Sequence, residues 1–188
     1  MRKLSAFISV SLDGYFADAN GDVSWAHRND EKGDFQAFVE GNAKGGSVLV
    51  FGRKTYDMMV RFWPTPMATQ MNPVVAERMN GLPKVVFSRT MDEATWSNTT
   101  LLKGDLADEV KKLKSEPGDD MTILGSGSIV RQLAEAGLLD ELQVVVVPIA
   151  LGGGQRLFDG IAQPLNLKLA SDRSFSNGNV FLCYEPTK

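Results

Sequence analysis

From Leu4 the chain alternates. Leu4, Ala6, Ile8, Val10 and Leu12 fall on one side of an extended segment and Ser5, Ser9 and Ser11 on the other, until Asp13-Gly14 ends the run. A period of two predicts a strand with one buried face. The loop 13–24 is rich in Gly and Asp, and the period then changes. Over residues 31–43, Phe35, Phe38 and Val39 recur at spacings of three and four, which predicts a helix stopped by Gly45-Gly46. Residues 47–51 (Ser-Val-Leu-Val-Phe) read as a short buried strand, and a helix beginning after Gly52 carries Tyr56, Met58 and Met59 as core positions. Trp63-Pro64-Thr65-Pro66 breaks that helix and opens an irregular stretch. Asn72-Pro73 then offers an N-cap with Pro at the first helical position, and Gly81 followed by Pro83 closes the helix. Buried strands are expected over 84–88 and 121–124, a charged surface helix over 105–114, and a helix over 126–136 with Gly137 as its left-handed C-terminal residue.

The tail changes character. Residues 142–151 hold four consecutive valines, enough to cross a sheet, and 165–171 and 180–184 read as strands joined through Ser176-Asn177-Gly178-Asn179. Asn177-Gly178 predicts a type I′ hairpin. Strand–helix alternation followed by a strand-rich tail predicts one three-layer α/β/α domain over residues 1–188. Its sheet should be mixed and mostly parallel, with antiparallel C-terminal strands. The Val-rich strand, placed near an edge, offers a route to a homodimer.

Composition narrows the chemistry. Hydrophobic residues at 43% and charged residues at 23% of 188 exclude disorder as an overall description. A net charge of -3 argues against a general nucleic-acid or membrane-surface binder, yet leaves room for a small anionic ligand held by a few cations. Cys183 is the single cysteine and His27 the single histidine, so no internal disulfide or Cys/His zinc cluster can form, and no metal site is expected. A Ser-His-Asp hydrolase would have to use His27, and no Gly-x-Ser-x-Gly elbow accompanies it. Arg2 and Lys3 before an apolar stretch superficially resemble a signal peptide, but the alternation and the Asp13-Gly14 stop argue for a strand. No apolar run approaches the roughly 20 residues that span a bilayer. A soluble, cytoplasmic protein is expected, with its chemistry left to carboxylates, hydroxyls, backbone dipoles or a borrowed cofactor.

Three strand-to-helix junctions carry that chemistry, because the carboxyl edge of an α/β sheet is where ligands meet helix N-termini. In the first, Gly52 lets a ligand approach the backbone while Arg53, Lys54 and Thr55 add charge and a hydroxyl; a plain Gly turn with solvated basic residues is the structural alternative. In the second, Ser88-Arg89 follows a buried strand and offers a hydroxyl and a guanidinium fork to a phosphate, or simply ends the strand. In the third, Gly125, Ser126, Gly127, Ser128 and Ile129 open a helix whose N-terminus suits a pyrophosphate. Val130 stands where a Rossmann fingerprint needs its third glycine, and the motif comes late in the chain, so that fold is not expected.

Taken in this order, the junctions resemble the dihydrofolate reductase-like superfamily, and the resemblance spans nearly the whole chain. Gly52-Arg53-Lys54-Thr55-Tyr56 is similar to the motif whose basic residues and Thr hold NADPH phosphates. Ser88-Arg89 is similar to the Ser-Arg pair at the adenosine 2′-phosphate, and 125–129 to the pyrophosphate turn. The stretch from Val147 through Gly152-Gly153-Gly154 to Arg156-Leu157-Phe158 resembles the reductase domain of riboflavin-biosynthesis deaminase-reductases and its free-standing relatives. Dihydrofolate reductases place a Thr in the strand where this chain has Val144 to Val147.

The resemblance implies an NADPH-dependent reductase of the phosphoribosylaminouracil type, or a relative reducing another small heterocycle. The nicotinamide would lie near Ala6, Ile8 and the 13–24 loop. Asp34 and Phe38, four apart and so on one helix face, match the substrate pair of the superfamily, with Asp34 as the catalytic carboxylate; an exposed Asp favoured by the helix dipole is the other reading. Trp25 and His27 follow the loop, where either can line the substrate pocket; Trp25 is the candidate substrate contact, and His27 is placed on a loop surface. Dihydrofolate reduction is the alternative activity, and a non-catalytic dinucleotide- or drug-binding protein the alternative of another class.

Overall fold

A computed structural model describes residues 1–27, 33–43 and 47–187. The alternation at the N-terminus forms β1 (Leu4–Ser11), with Leu4, Ala6, Ile8 and Val10 buried. Leu12 lies past the strand and is exposed. After β2 (Tyr15–Ala17) and a 3-10 turn (Ser24–His27) come α1 (Asp34–Ala43), β3 (Val48–Gly52) and α2 (Arg53–Phe62). The helix start expected at Glu31 and the Gly45-Gly46 stop lie outside the described residues. Then follow α3 (Pro66–Met71), α4 (Pro73–Gly81), β4 (Lys84–Phe87), β5 (Thr99–Leu102) and α5 (Leu106–Ser115). The C-terminal third supplies β6 (Met121–Leu124), α6 (Gly127–Glu135), β7 (Glu141–Val147), β8 (Gln155–Arg156), β9 (Leu167–Ser174) and β10 (Val180–Pro186).

Eight strands form one mixed sheet in the order β5-β4-β3-β6-β1-β7-β10-β9. The first six are parallel, and β10 and β9 are antiparallel. Side chains of α5 and α6 (Val110, Ile129, Val130, Leu133) pack on one face against Leu4, Ala6, Ile8 and Leu142. On the other face, Phe35 of α1 packs with Val145 and Phe181, and Tyr56, Val75 and Met79 of α2 and α4 pack with Leu49, Phe51 and Val86. The connection from β1 to β3 runs over one face and that from β6 to β7 over the other, so the strand order reverses around β1. Such a switch point leaves a crevice at the carboxyl edge.

Several sequence expectations change in detail. Trp63 to Pro66 does break α2, but Thr65 caps a further helix, accepting from Ala68 N–H with Pro66 at the first position. This is the same logic that starts α4, where Asn72 Oδ1 accepts from Val75 N–H. The short edge strand β5 has no sign in the sequence, because Thr-Thr-Leu-Leu carries no burial rhythm. The valine strand β7 lies between β1 and β10 rather than near an edge, so it offers no edge for dimer pairing. The outermost strand there is β9, whose pairing with β10 shifts register opposite Cys183/Tyr184. The hairpin is also not type I′. Phe175 N–H donates to Asn179 O and Gly178 N–H to Phe175 O, with the left-handed φ (+87°) at Gly178, whereas Asn98 and Ser126 are the non-glycine residues at positive φ among those described. Finally, the charged helix α5 is not purely a surface element. Lys114 is buried, donates to Leu138 O and pairs with Asp140, which also accepts from Leu4 N–H.

Candidate functional site

The carboxyl ends of β3, β4 and β6 open into a cleft of about 1190 Å³ that continues over the sheet face between α1 and α2. All three junctions read from the sequence converge on it. Gly52, Arg53, Lys54 and Thr55 line it from α2, Ser88 and Arg89 from the end of β4, and Gly125 to Ile129 from the start of α6.

A latch sets the spacing of the two helix N-termini. Ser126 sits in the left-handed region (φ 54°, ψ 52°), and its hydroxyl accepts from Gly52 N–H at 2.9 Å. Its own N–H donates to Thr55 Oγ1 at 3.1 Å. Gly52 fits the closeness this creates, and Gly125 the left-handed backbone. A Cβ on Gly52 would lie 3.1 Å from Ile129 Cδ1, and Gly125 has φ +57°. With Ser126 committed to the latch, α6 has no side-chain cap, and α2, capped by Gly52, has none either. In contrast, α3, α4 and α5 are each capped by a side chain. Two positive helix ends therefore face one cleft with their capping positions open to an anion.

Beside them, Arg53 donates to Thr90 Oγ1 at 2.9 Å and pairs with Asp57 at 3.3 Å. Ser88 Oγ accepts from Thr90 and Met91 N–H, which leaves its proton to donate outward. Arg89 reaches Asp105 at 3.9 Å.

The loop after β1 forms the rim. Asp13 accepts from Ser11 Oγ (2.6 Å), Leu151 N–H (3.1 Å) and Gly152 N–H (2.8 Å), and the Ser11 hydroxyl first, then the Gly152 N–H, lower its pKa to about 2. This clamp ties the 13–24 loop to the triple glycine. Gly154 is obligatory in its place, since a Cβ there would stand 2.2 Å from Ala17 O at a φ of +138°. β2 and β8 then pair, and the Phe16 ring lies against Gly127 so closely that a Cβ there would be 2.6 Å from it.

The expected substrate side chains are elsewhere. Asp34 is turned to the hairpin, where it accepts from Ser176 Oγ at 2.6 Å and Ser176 N–H at 3.1 Å; the hydroxyl holds its carboxyl below the usual range. Phe38 joins an aromatic cluster with Phe35, Phe175 and Phe181. Trp25 is buried, with Nε1 donating to Asp22 O. None of the three lines the cleft. Ala6 is wholly buried on the face covered by α5 and α6, so Ile8, and not Ala6, reaches the cleft wall.

The side chains that do line the cleft over the sheet face are Phe7 and Ser9 of β1, Asn42 of α1, Thr122 of β6 and Gln143 of β7, with Met58, Met59 and Trp63 as an apolar wall. Met58 is exposed rather than core, and His27 lines the mouth. Ser9 and Gln143 are the visible sign, polar residues on a sheet face that a helix should have sealed.

Residues 2–181 match the model of the RibD C-terminal domain. The uncharacterized protein YyaP of Bacillus subtilis (strain 168) is 29% identical over 185 residues, covering 97% of this chain and 94% of that one. A putative riboflavin biosynthesis protein from Shewanella sp. PV-4 is 26% identical, with a TM-score of 0.76 and 99% of both chains covered. The diaminohydroxyphosphoribosylaminopyrimidine deaminase/5-amino-6-(5-phosphoribosylamino)uracil reductase of Thermotoga maritima shares the fold at 16% identity and a TM-score of 0.67, and this chain covers 57% of it. A protein whose cleft joins two uncapped helix ends on this sheet order, and whose sequence matches almost from end to end, belongs to the RibD C-terminal domain family, the reductase of riboflavin biosynthesis with a dihydrofolate reductase-like fold.

Proposed function

We propose that this protein is an NADPH-dependent reductase of the riboflavin-biosynthesis type, or a free-standing relative that reduces another small heterocycle. The observation that carries the reading is the joint opening of the α2 and α6 N-termini beside Arg53, Lys54 and Arg89 on one cleft. Backbone N–H groups at those ends suit a pyrophosphate, and the cations suit a further phosphate on the adenosine. NADPH, when bound, supplies a hydride.

The chain's own residues bind, orient and exclude water. Gly125 to Ile129 hold the diphosphate, Ile8 and the 13–24 rim cover the reacting end, and the Met58, Met59 and Trp63 wall keeps the space apolar. Hydroxyl and amide groups of Ser9, Thr122, Asn42 and Gln143 address the heterocycle. That set lacks a carboxylate at the Asp34 position, from which superfamily members meet a pterin; the carboxylates on the cleft wall are instead Asp105, beside Arg89, and Asp120, just before β6. Here Asp34 is occupied by Ser176, so dihydrofolate reduction ranks second. The single cysteine is buried and suits a cytoplasmic setting.

Two titrations test the proposal. Purified protein is expected to bind NADPH more tightly than NADH, and equal or tighter NADH binding overturns it. NADPH oxidation is then expected with a phosphoribosylaminouracil and not with dihydrofolate; rapid dihydrofolate turnover reverses the order of the two activities.

A further inference from the structure

The adenosine end of the cleft is less cationic than its sequence implies. Arg53 is answered by Asp57 at 3.3 Å and Arg89 by Asp105 at 3.9 Å. Asp105 is the more consequential of the two carboxylates because it lines the cleft itself, next to Ser88 and Arg89. Its two oxygens do different work. Oδ1 caps α5, accepting from Ala107 N–H at 3.0 Å and Asp108 N–H at 3.3 Å, while Oδ2 faces Arg89. The cap fixes the carboxylate where a ligand of Arg89 must pass.

Dinucleotide sites discriminate at this point by opposite means. An acidic side chain accepts from a free ribose 2′-hydroxyl and repels a 2′-phosphate, and an arginine does the reverse. Here both stand at one edge. We propose that Asp105 is a specificity-determining residue that limits the preference for NADPH over NADH, by competing with the 2′-phosphate for Arg89 and by offering Oδ2 to a free 2′-hydroxyl. This rests on the reductase reading above, and deepens it.

The inference is testable without disturbing the fold, because Asn and Ser cap a helix about as well as Asp. In Asp105→Asn and Asp105→Ser, the ratio of the NADH Kd to the NADPH Kd rises about threefold or more, the size of one exposed charge interaction. In Arg89→Gln the ratio falls. The gap between wild type and Asp105→Asn narrows as salt rises from about 0.01 to 1 M, where screening shortens from about 30 to 3 Å; a purely structural role for Asp105 has no such salt dependence. A ratio unchanged in both Asp105 variants, while NADPH still binds, overturns this inference and leaves the reductase reading standing. Wild-type protein that binds neither dinucleotide overturns both.

Discussion

Asp13 concentrates a large part of the site's order in one carboxylate. It receives a hydroxyl from its own strand end and two N–H groups from the segment after β7, so the rim of the cleft and the triple-glycine turn share one anchor. Its pKa is lowered from 3.8 to about 2. The unfolded chain takes up the proton first, so the contribution of Asp13 is fully present above about pH 4 and is lost as pH falls through 2. Asp13→Asn is therefore expected to lower stability at neutral pH and to flatten the acid limb of stability against pH between 4 and 2. Chemical denaturation at a series of pH values measures it, and parallel acid limbs in the two proteins would refute it. The Asp13-Gly14 stop is plain in the sequence, but the two N–H donors that Asp13 holds stand 138 and 139 positions away, and no local pattern announces them.

At the scale of elements, caps and breakers were the legible features. Asn72-Pro73 and the C-terminal Gly137 were readable because they act on their own helix, and both appear as expected. Ser126 stands at the N-cap of α6, yet its hydroxyl reaches across to α2 instead of capping its own helix. The two helices are thus held at fixed spacing by a residue that pays in left-handed backbone strain. Substitutions separate the two effects. Ser126→Gly removes the hydroxyl but relieves the strain, whereas Ser126→Ala removes the hydroxyl and keeps it. Both leave Gly52 N–H without its partner and should weaken dinucleotide binding. Ser126→Ala should in addition be the less stable protein, by about 1 kcal/mol. Urea denaturation and NADPH titration read the two effects, and equal stability of the variants would remove strain from the account.

On the proposed reading the sheet is divided between two tasks, and that division explains what is legible. Sites at strand ends show in sequence as glycines and basic residues at junctions, which is why Arg53, Lys54, Arg89 and 125–129 are legible in the sequence alone. A site on a sheet face is assembled from single residues on β1, β6 and β7 that only strand order brings together. Hence no local pattern groups Thr122 with Gln143, and the helical spacing of Asp34 and Phe38 belongs instead to a face that packs on the hairpin. The same division makes the two halves of the cleft separable. Gln143 pairs in register with Phe7 on β1, on the sheet face below α1 and away from the junctions. Gln143→Leu should raise the KM for the heterocycle about tenfold, the cost of one lost polar contact, and leave the NADPH Kd unchanged. Arg53→Gln should do the reverse, weakening NADPH with little effect on the heterocycle's KM at saturating cofactor. Steady-state kinetics with direct NADPH titration distinguishes them. If Gln143→Leu weakened NADPH as much as Arg53→Gln does, the cleft would work as one undivided site, and the assignment of sheet face to substrate and sheet edge to cofactor would fall.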